Sequence, residues 1–413
     1  MLSGFLSPEI WSALVSAFKY IYLAMPIWLP IAFLVALFNA WLRYVRSKFW
    51  QKEGSVLLEI KLPKEITKSP LAMEVVLGAL HQPGGEGTWI ERIWKGQTRS
   101  WFSLEIASFG GSVRFFIWTK PKHRNALEAQ IYSQYPGVEI YEAEDYTKPF
   151  YYNPELNNMW GCEFILTKAD PFPIKTYVDY GLDKDPKEEF KIDPITPMIE
   201  FLGSLTAGHN AWIQIIVRAH KKRRILDVFD EKEDSWEDEM KKEKDAIIEK
   251  LKVAKEEGGF PRIPSKGESD MIAALERSVS KLPFDVGIRS IYIADKDKYN
   301  SGNQGGILGF MKQYGSQNLN GFKPKGWFSD FDYPWDEWFH SKESLKIKIL
   351  EEYKLRRYFY SPWRAKKFHG NKSFVLNAEE LATIFHFPGS IASTPTFERV
   401  PSKKSEAPAN LPI

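Results

Sequence analysis

Residues 102–119, FSLEIASFGGSVRFFIWT, alternate apolar and polar side chains on either side of a Gly110-Gly111 pair. Phe102, Leu104 and Ile106 share one face before the turn, and Val113, Phe115 and Ile117 share one after it, which is the pattern of a β-hairpin with one buried face. Outward from the hairpin the period changes. Towards the N-terminus, Ser69-Pro70-Leu71-Ala72-Met73-Glu74 opens a helix to about Leu80, with a cap residue, a proline in the first turn and an early glutamate. Residues 55–62, SVLLEIKL, supply a strand before it. On the other side a helix from about Lys122 to Tyr135 carries Leu127, Ile131 and Tyr135 on one face, and VEIYEAE at 138–144 gives a fourth strand. The order β-α-β-β-α-β predicts a ferredoxin-like module, an antiparallel sheet with both helices on one face.

The same order recurs from residue 160 with longer connections. CEFILTKA reads as a strand, Pro194 to Ala207 as a helix, AWIQIIVRAH as a strand, 268–282 as a second helix and VGIRSIYIA as another strand. MEVVLGAL and MIEFLGSL occupy the same slot in the two halves. The expected fold is α+β, with an N-terminal transmembrane helix, two tandem ferredoxin-like modules and a helical C-terminal segment. The expected divisions are an interfacial segment at 1–19, the span at 20–42, a basic linker at 43–53 and a first module at 54–150. A second module follows at 151–299, with a charged helical insertion at 221–266. Residues 300–340 read as a Gly- and aromatic-rich loop region, 341–388 as a basic helical segment and 389–413 as an extended tail. Within the insertion, residues 221–257 hold 24 charges, 11 positive and 13 negative, a mixture that suits a solvated helix laced with i,i+4 pairs.

The span carries no charged side chain over 23 positions, YIYLAMPIWLPIAFLVALFNAWL. At about 1.5 Å per residue a helix of that length covers roughly 34 Å, enough for a hydrocarbon layer of roughly 30 Å. Arg43, Arg46, Lys48 and Lys52 follow as a basic membrane border, whereas only Glu9 and Lys19 precede it. This asymmetry puts the N-terminus outside and the bulk of the chain in the cytoplasm, at the inner membrane of a cell. Pro26 and Pro30 predict a kink or a later helix start. One cysteine, Cys162, excludes an internal disulfide framework and suits a reducing compartment. The net charge of +3 says little about partners.

Residues 353–372, YKLRRYFYSPWRAKKFHGNK, interleave cations with aromatics. Arg356, Arg357, Tyr358, Tyr360, Trp363, Arg364, Lys366 and Lys367 could neutralise phosphates and stack on unpaired bases of single-stranded DNA. The same residues also describe a patch held against anionic lipid, or a structural helix face. Seven histidines lie scattered without metal-ligand spacing, and neither a Walker loop, a GxSxG elbow nor a dinucleotide fingerprint occurs. The expectation is a non-enzymatic protein with no cofactor and no metal.

Three stretches, 102–146, 197–220 and 376–400, resemble the N-terminal, non-ATPase region of membrane-anchored type IV secretion or conjugative DNA-transfer ATPases. In that family an Ala-Glu-Glu-Leu-Ala, a His-Phe-Pro-Gly and a Thr-Pro element precede the motor; the matching residues are Ala378 to Ala382, His386 to Gly389 and Thr394-Pro395. The motor itself is absent from these 413 residues. The resemblance therefore implies an anchored component that docks a separate HerA-like or coupling-protein-like ATPase through His386, Phe387, Pro388, Thr394 and Pro395. It also makes a homo-oligomeric ring plausible. The competing expectation is a membrane scaffold or receptor-type module that binds peptide or protein at its sheet edges, with no part in DNA transfer.

Overall fold

Gly110 and Gly111 take φ angles of 58° and 92°, and a Cβ at Gly111 would overlap the Leu205 carbonyl, so the turn between the two alternating stretches requires glycine. A computed structural model describes residues 8–63, 68–183, 193–221, 236, 238–243, 245–246, 265–326, 341–360 and 373–389. The chain is mixed α+β and divides into two compact units. Among the described residues, one is built from the N-terminal residues to 52 with residues 85–98, the other from 53–84 and those from 99 onward.

The first unit holds α1 (Pro8–Leu23) and α2 (Met25–Glu53). The break falls at Ala24, so Pro26 lies in the first turn of α2, where its missing N–H costs nothing. The helix therefore starts later than the uncharged stretch does. It also runs on through 43–53, which had read as a linker: no Gly or Pro interrupts those residues until Gly54, whose φ is 68°. α2 is long and apolar enough to cross a membrane, and none of its most apolar window is buried in the protein.

In the second unit, β1 (Val56–Lys61), α3 (Pro70–Leu80), β2 (Phe102–Phe109), β3 (Ser112–Thr119), α5 (Pro121–Gln134) and β4 (Glu139–Ala143) follow one another; α4 (Trp89–Ile93) belongs to the first unit. Then come β5 (Asn157–Leu166), α6 (Thr196–Gly203), β6 (His209–Ala219), α7 (Lys266–Val279), β7 (Pro283–Asp295), α8 (Gly302–Met311) and β8 (Phe322–Gly326). The described chain closes with α9 (Lys342–Lys354), β9 (Phe374–Asn377) and α10 (Ala378–Ile384). The described strands form one antiparallel sheet of nine in the order β4-β1-β3-β2-β6-β7-β5-β8, with β9 against the start of β7. The seam is β2 on β6, from Phe102 opposite Val217 to Phe109 opposite Asn210. The sheet runs unbroken across that seam, so strand order alone does not part it into two modules.

The helix expected at 268–282 forms as α7, between β6 and β7 as its place in the chain implies, and a further helix, α8, follows β7. One expectation for the second half is corrected. Residues 302–326, read as part of a loop, instead supply α8 and β8. One of the glycines that suggested a loop serves close packing: a Cβ at Gly306 would overlap the Phe201 ring of α6. The C-terminal segment is likewise not all helix: α9 is followed by β9 and α10.

Alternation sends Phe102, Leu104 and Ile106 of β2, Ile213, Ile215 and Val217 of β6, and Val286 and Ile288 of β7 into one core with α3, α5, α6, α8 and α10. The other face carries Glu105, Gln214, Arg218, Asp285, Arg289 and Glu163, yet these are also buried. α9 and the residues after it lie over that face: Ile349 rests on Gly161, and Tyr358 on Gly287. A side chain at Gly287 would overlap the tyrosine ring.

Candidate functional site

The covered sheet face concentrates the buried charge of the second unit, and Arg356 organises it. Its Nε donates to Glu105 Oε1 at 2.9 Å, and its Nη1 and Nη2 donate to Asp145 at 2.6 and 3.1 Å. Glu105 Oε1 also accepts from Ser103 Oγ at 2.6 Å and Gln214 Nε2 at 3.0 Å, while Oε2 accepts from Tyr146 OH at 2.9 Å. Burial alone would raise the Asp145 carboxyl, but Arg356 and Thr147 hold it below its usual range. The Arg356 backbone sits at φ 49°, a left-handed conformation that costs a side-chain-bearing residue about 1–2 kcal/mol. The two carboxylates on its guanidinium offset that cost.

Two further ion clusters extend the same face. Arg289 Nη2 donates to Glu163 Oε1 at 3.1 Å and to the Arg357 carbonyl at 3.0 Å. Burial holds the Glu163 carboxyl above its usual range despite that arginine. Asp285 meets Arg218 Nε at 2.7 Å, His220 Nδ1 at 2.6 Å and Arg99 Nη1 at 3.6 Å. Burial would push Asp285 up, but the Arg218 and Arg99 guanidiniums and the hydrogen bond with His220 outweigh it and hold the carboxyl well below the ordinary range.

These contacts revise the nucleic-acid or lipid candidates. Arg356 and Tyr358 are buried at 1% and 3% exposure and paired inside the fold, so neither reaches a phosphate or a base. Tyr360 OH accepts from the Arg99 backbone N–H at 3.1 Å, and its ring stands 5.3 Å from the Arg218 guanidinium. Arg357 is exposed, and its carbonyl holds Arg289. Trp363, Arg364, Lys366 and Lys367 lie outside the described residues.

The docking candidates are revised in the same way. His386 is buried, with Nδ1 2.8 Å from the Ala382 carbonyl and Nε2 2.9 Å from Asp193 Oδ1. Phe387 packs against Phe115, Tyr135 and Phe385, and Pro388 is buried beside it. Thr394 and Pro395 lie outside the described residues. The Ala378 to Ala382 element is α10, capped by Asn377 and Glu380 on each other's backbone N–H groups. Burial pushes the Glu380 carboxyl up to about 8, against the Asn377 and Ile174 N–H groups that favour its charged form. Glu379 accepts from Arg277 Nε at 2.9 Å and Thr176 Oγ1 at 2.6 Å. Both motif elements thus lock internal joints.

In the first unit, Arg43, Arg46, Lys48 and Lys52 all lie on α2 just past its apolar stretch. A feature not singled out in the sequence joins them there. Residues 85–98 run beside the helix: Trp41 Nε1 donates to the Ile93 carbonyl at 2.9 Å, and the Trp41 and Trp94 rings meet edge to face at 5.5 Å. Gly96, at φ 66°, abuts the Val45 backbone, and Trp50 Nε1 donates to Thr98 Oγ1 at 3.0 Å. The readable signal was TWIERIW at 88–94, a capping box in which Thr88 and Glu91 bond each other's backbone N–H groups.

Among the described residues no group of three His, Cys, Asp or Glu side chains could hold a metal ion. The concavity lined by Glu59, Lys61 and Arg114 has a volume of about 10 Å³, room for one water. Comparison with known families finds one profile, described as a domain of unknown function (DUF8128), that matches residues 47–399. No curated protein matches the chain.

Proposed function

The chain belongs to the DUF8128 family, and for it we propose a membrane-anchored, non-catalytic platform of a type IV secretion-like or conjugative DNA-transfer machine that docks a separate P-loop ATPase. The observation that carries the anchor is α2, whose uncharged, unburied stretch passes directly into Arg43 and Arg46. In this reading the N-terminus lies outside and the α/β body faces the cytoplasm, because the cations cluster on one flank only. The docking role is supported by the resemblance of residues 102–146, 197–220 and 376–400 to the non-ATPase region of such machines.

We also read each half of the sheet as a ferredoxin-like unit. The order β4-β1-β3-β2 and its counterpart β8-β5-β7-β6, with α3 and α5 in one half and α6 and α8 in the other after the first and third strands, supports that reading. Direct DNA contact loses its support from Arg356 and Tyr358, and the platform is read as acting through protein contacts.

The test is alkaline extraction of membranes carrying the full chain, followed by chemical crosslinking and identification of its neighbours. Retention in the membrane pellet with a P-loop ATPase crosslinked to the chain is expected. Release by alkali overturns the anchor. Retention without any ATPase neighbour overturns the docking role and leaves a membrane scaffold for other proteins.

A further inference from the structure

We propose that α4 is a second, in-plane membrane anchor, seated at the headgroup boundary of the bilayer that α2 crosses. The inference rests on the reading of α2 as the span. Contacts along residues 93–98 fix its level: Ile93 and Trp94 meet Trp41, Gly96 meets Val45 and Thr98 meets Trp50. The segment and the helix therefore run in the same direction. From Thr98 back to Ile93 the chain descends about 14 Å along α2 at 1.5 Å per residue. It ends beside Trp41, the second-last residue before the first cation, Arg43. α4 thus sits at the level where the uncharged stretch stops.

Its composition fits that level. Trp89 and Ile90 on the five-residue helix and Trp94 at its C-cap are 57%, 47% and 57% exposed. Water at that position gives three large apolar side chains nothing, whereas indole rings favour the boundary between headgroups and acyl chains, where an apolar body and a polar N–H are both accommodated. Arg92 and Lys95 on the segment balance Glu86 and Glu91, and the neighbouring Gly96 meets Val45 of α2, between Arg43 and Arg46, whose cations supply the attraction to anionic headgroups. The Thr88 and Glu91 capping box fixes the short helix, and the Trp41 contacts hold it against the span. The occupant of this apolar face is the lipid already surrounding α2, because the face is continuous with the apolar surface of that helix through Trp41.

The test uses the full chain in bilayers of phosphatidylcholine and phosphatidylglycerol, in a Cys162→Ala background. Nitroxides are attached at Leu34→Cys in the span, Ile90→Cys on α4 and Asp270→Cys on the exposed surface of α7. Collision with oxygen, which concentrates in lipid, is compared with collision with a water-soluble nickel chelate. The expected result is an oxygen-to-nickel ratio at Ile90 between those of Leu34 and Asp270 and several-fold above the latter. Adding Gly96→Val, whose side chain would collide with Val45, should lower the Ile90 ratio while leaving Leu34 unchanged. A lipid-exposed Leu34 with Ile90 matching Asp270 overturns the inference and spares the anchor. Shielding of Ile90 from both reagents also overturns it, in favour of a protein contact. Water exposure at Leu34 itself would refute the span on which the inference depends.

Discussion

Arg356 Nε lies 2.9 Å from Glu105 Oε1, joining residues 251 positions apart on a sheet face where both side chains are buried. Removing one member of such a pair strands the other in a medium of low polarity. Arg356→Ala should therefore cost about 3–5 kcal/mol, read as a lower midpoint in urea unfolding of the full chain in detergent. Arg356→Lys keeps the charge but cannot grip Glu105 and Asp145 with one planar fork, and should fall between the two. Stability unchanged in both variants would return Arg356 to the surface role suggested by its basic-aromatic surroundings.

Gly287 and Tyr358 make a second joint of the same cover. Gly287→Ala forces the ring away, and overpacking of this kind costs about 1–3 kcal/mol. Combined with Tyr358→Ala, the Gly287→Ala change should cost almost nothing further, because its clash partner is gone. A double-mutant cycle of unfolding free energies checks this non-additivity.

The pH dependence has two limbs. Asp285 is held below its ordinary value of 3.8, so its contribution is present above about pH 4 and is lost as acid protonates it; Asp285→Asn should flatten that acid limb. Glu380 has the opposite sign. Its folded value is raised from 4.5 to about 8, so its contribution is full below about pH 4.5 and declines as the pH rises towards 8, a loss on the order of 4 kcal/mol. Glu380→Gln should remove the slope between pH 5 and pH 8 in a series of urea unfolding curves. A slope that persists in the variant would assign it to another group.

The hairpin at 102–119 and its two flanking helices were readable because local alternation, a Gly-Gly turn and a proline-led helix start all agreed. Three things were not. α8 hid behind Gly302, Gly305, Gly306 and Gly309, residues that lower helix propensity, of which Gly306 admits the Phe201 ring. The polar residues Glu105, Gln214 and Arg289 alternate as a solvent face would, and only the long-range return of α9 and Tyr358 buries them. Arg356 and His386 sit in stretches whose composition suits an exposed interface, and their carboxylate partners, the buried Glu105 and the half-buried Asp145 and Asp193, lie far away in sequence. Charge pattern specifies that a cation needs a partner; tertiary structure decides whether that partner is internal.

In this reading α2 stays attached to the chain and crosses a bilayer with the body on the cytoplasmic side. Sealed right-side-out and inverted membrane vesicles carrying the full chain are treated with protease, and the protected fragment is sized by intact mass. Digestion of the body in inverted vesicles only, with a protected N-terminal fragment that retains residues 20–42, is expected. Digestion of the body in right-side-out vesicles, or a mature chain lacking residues 20–42, would contradict it.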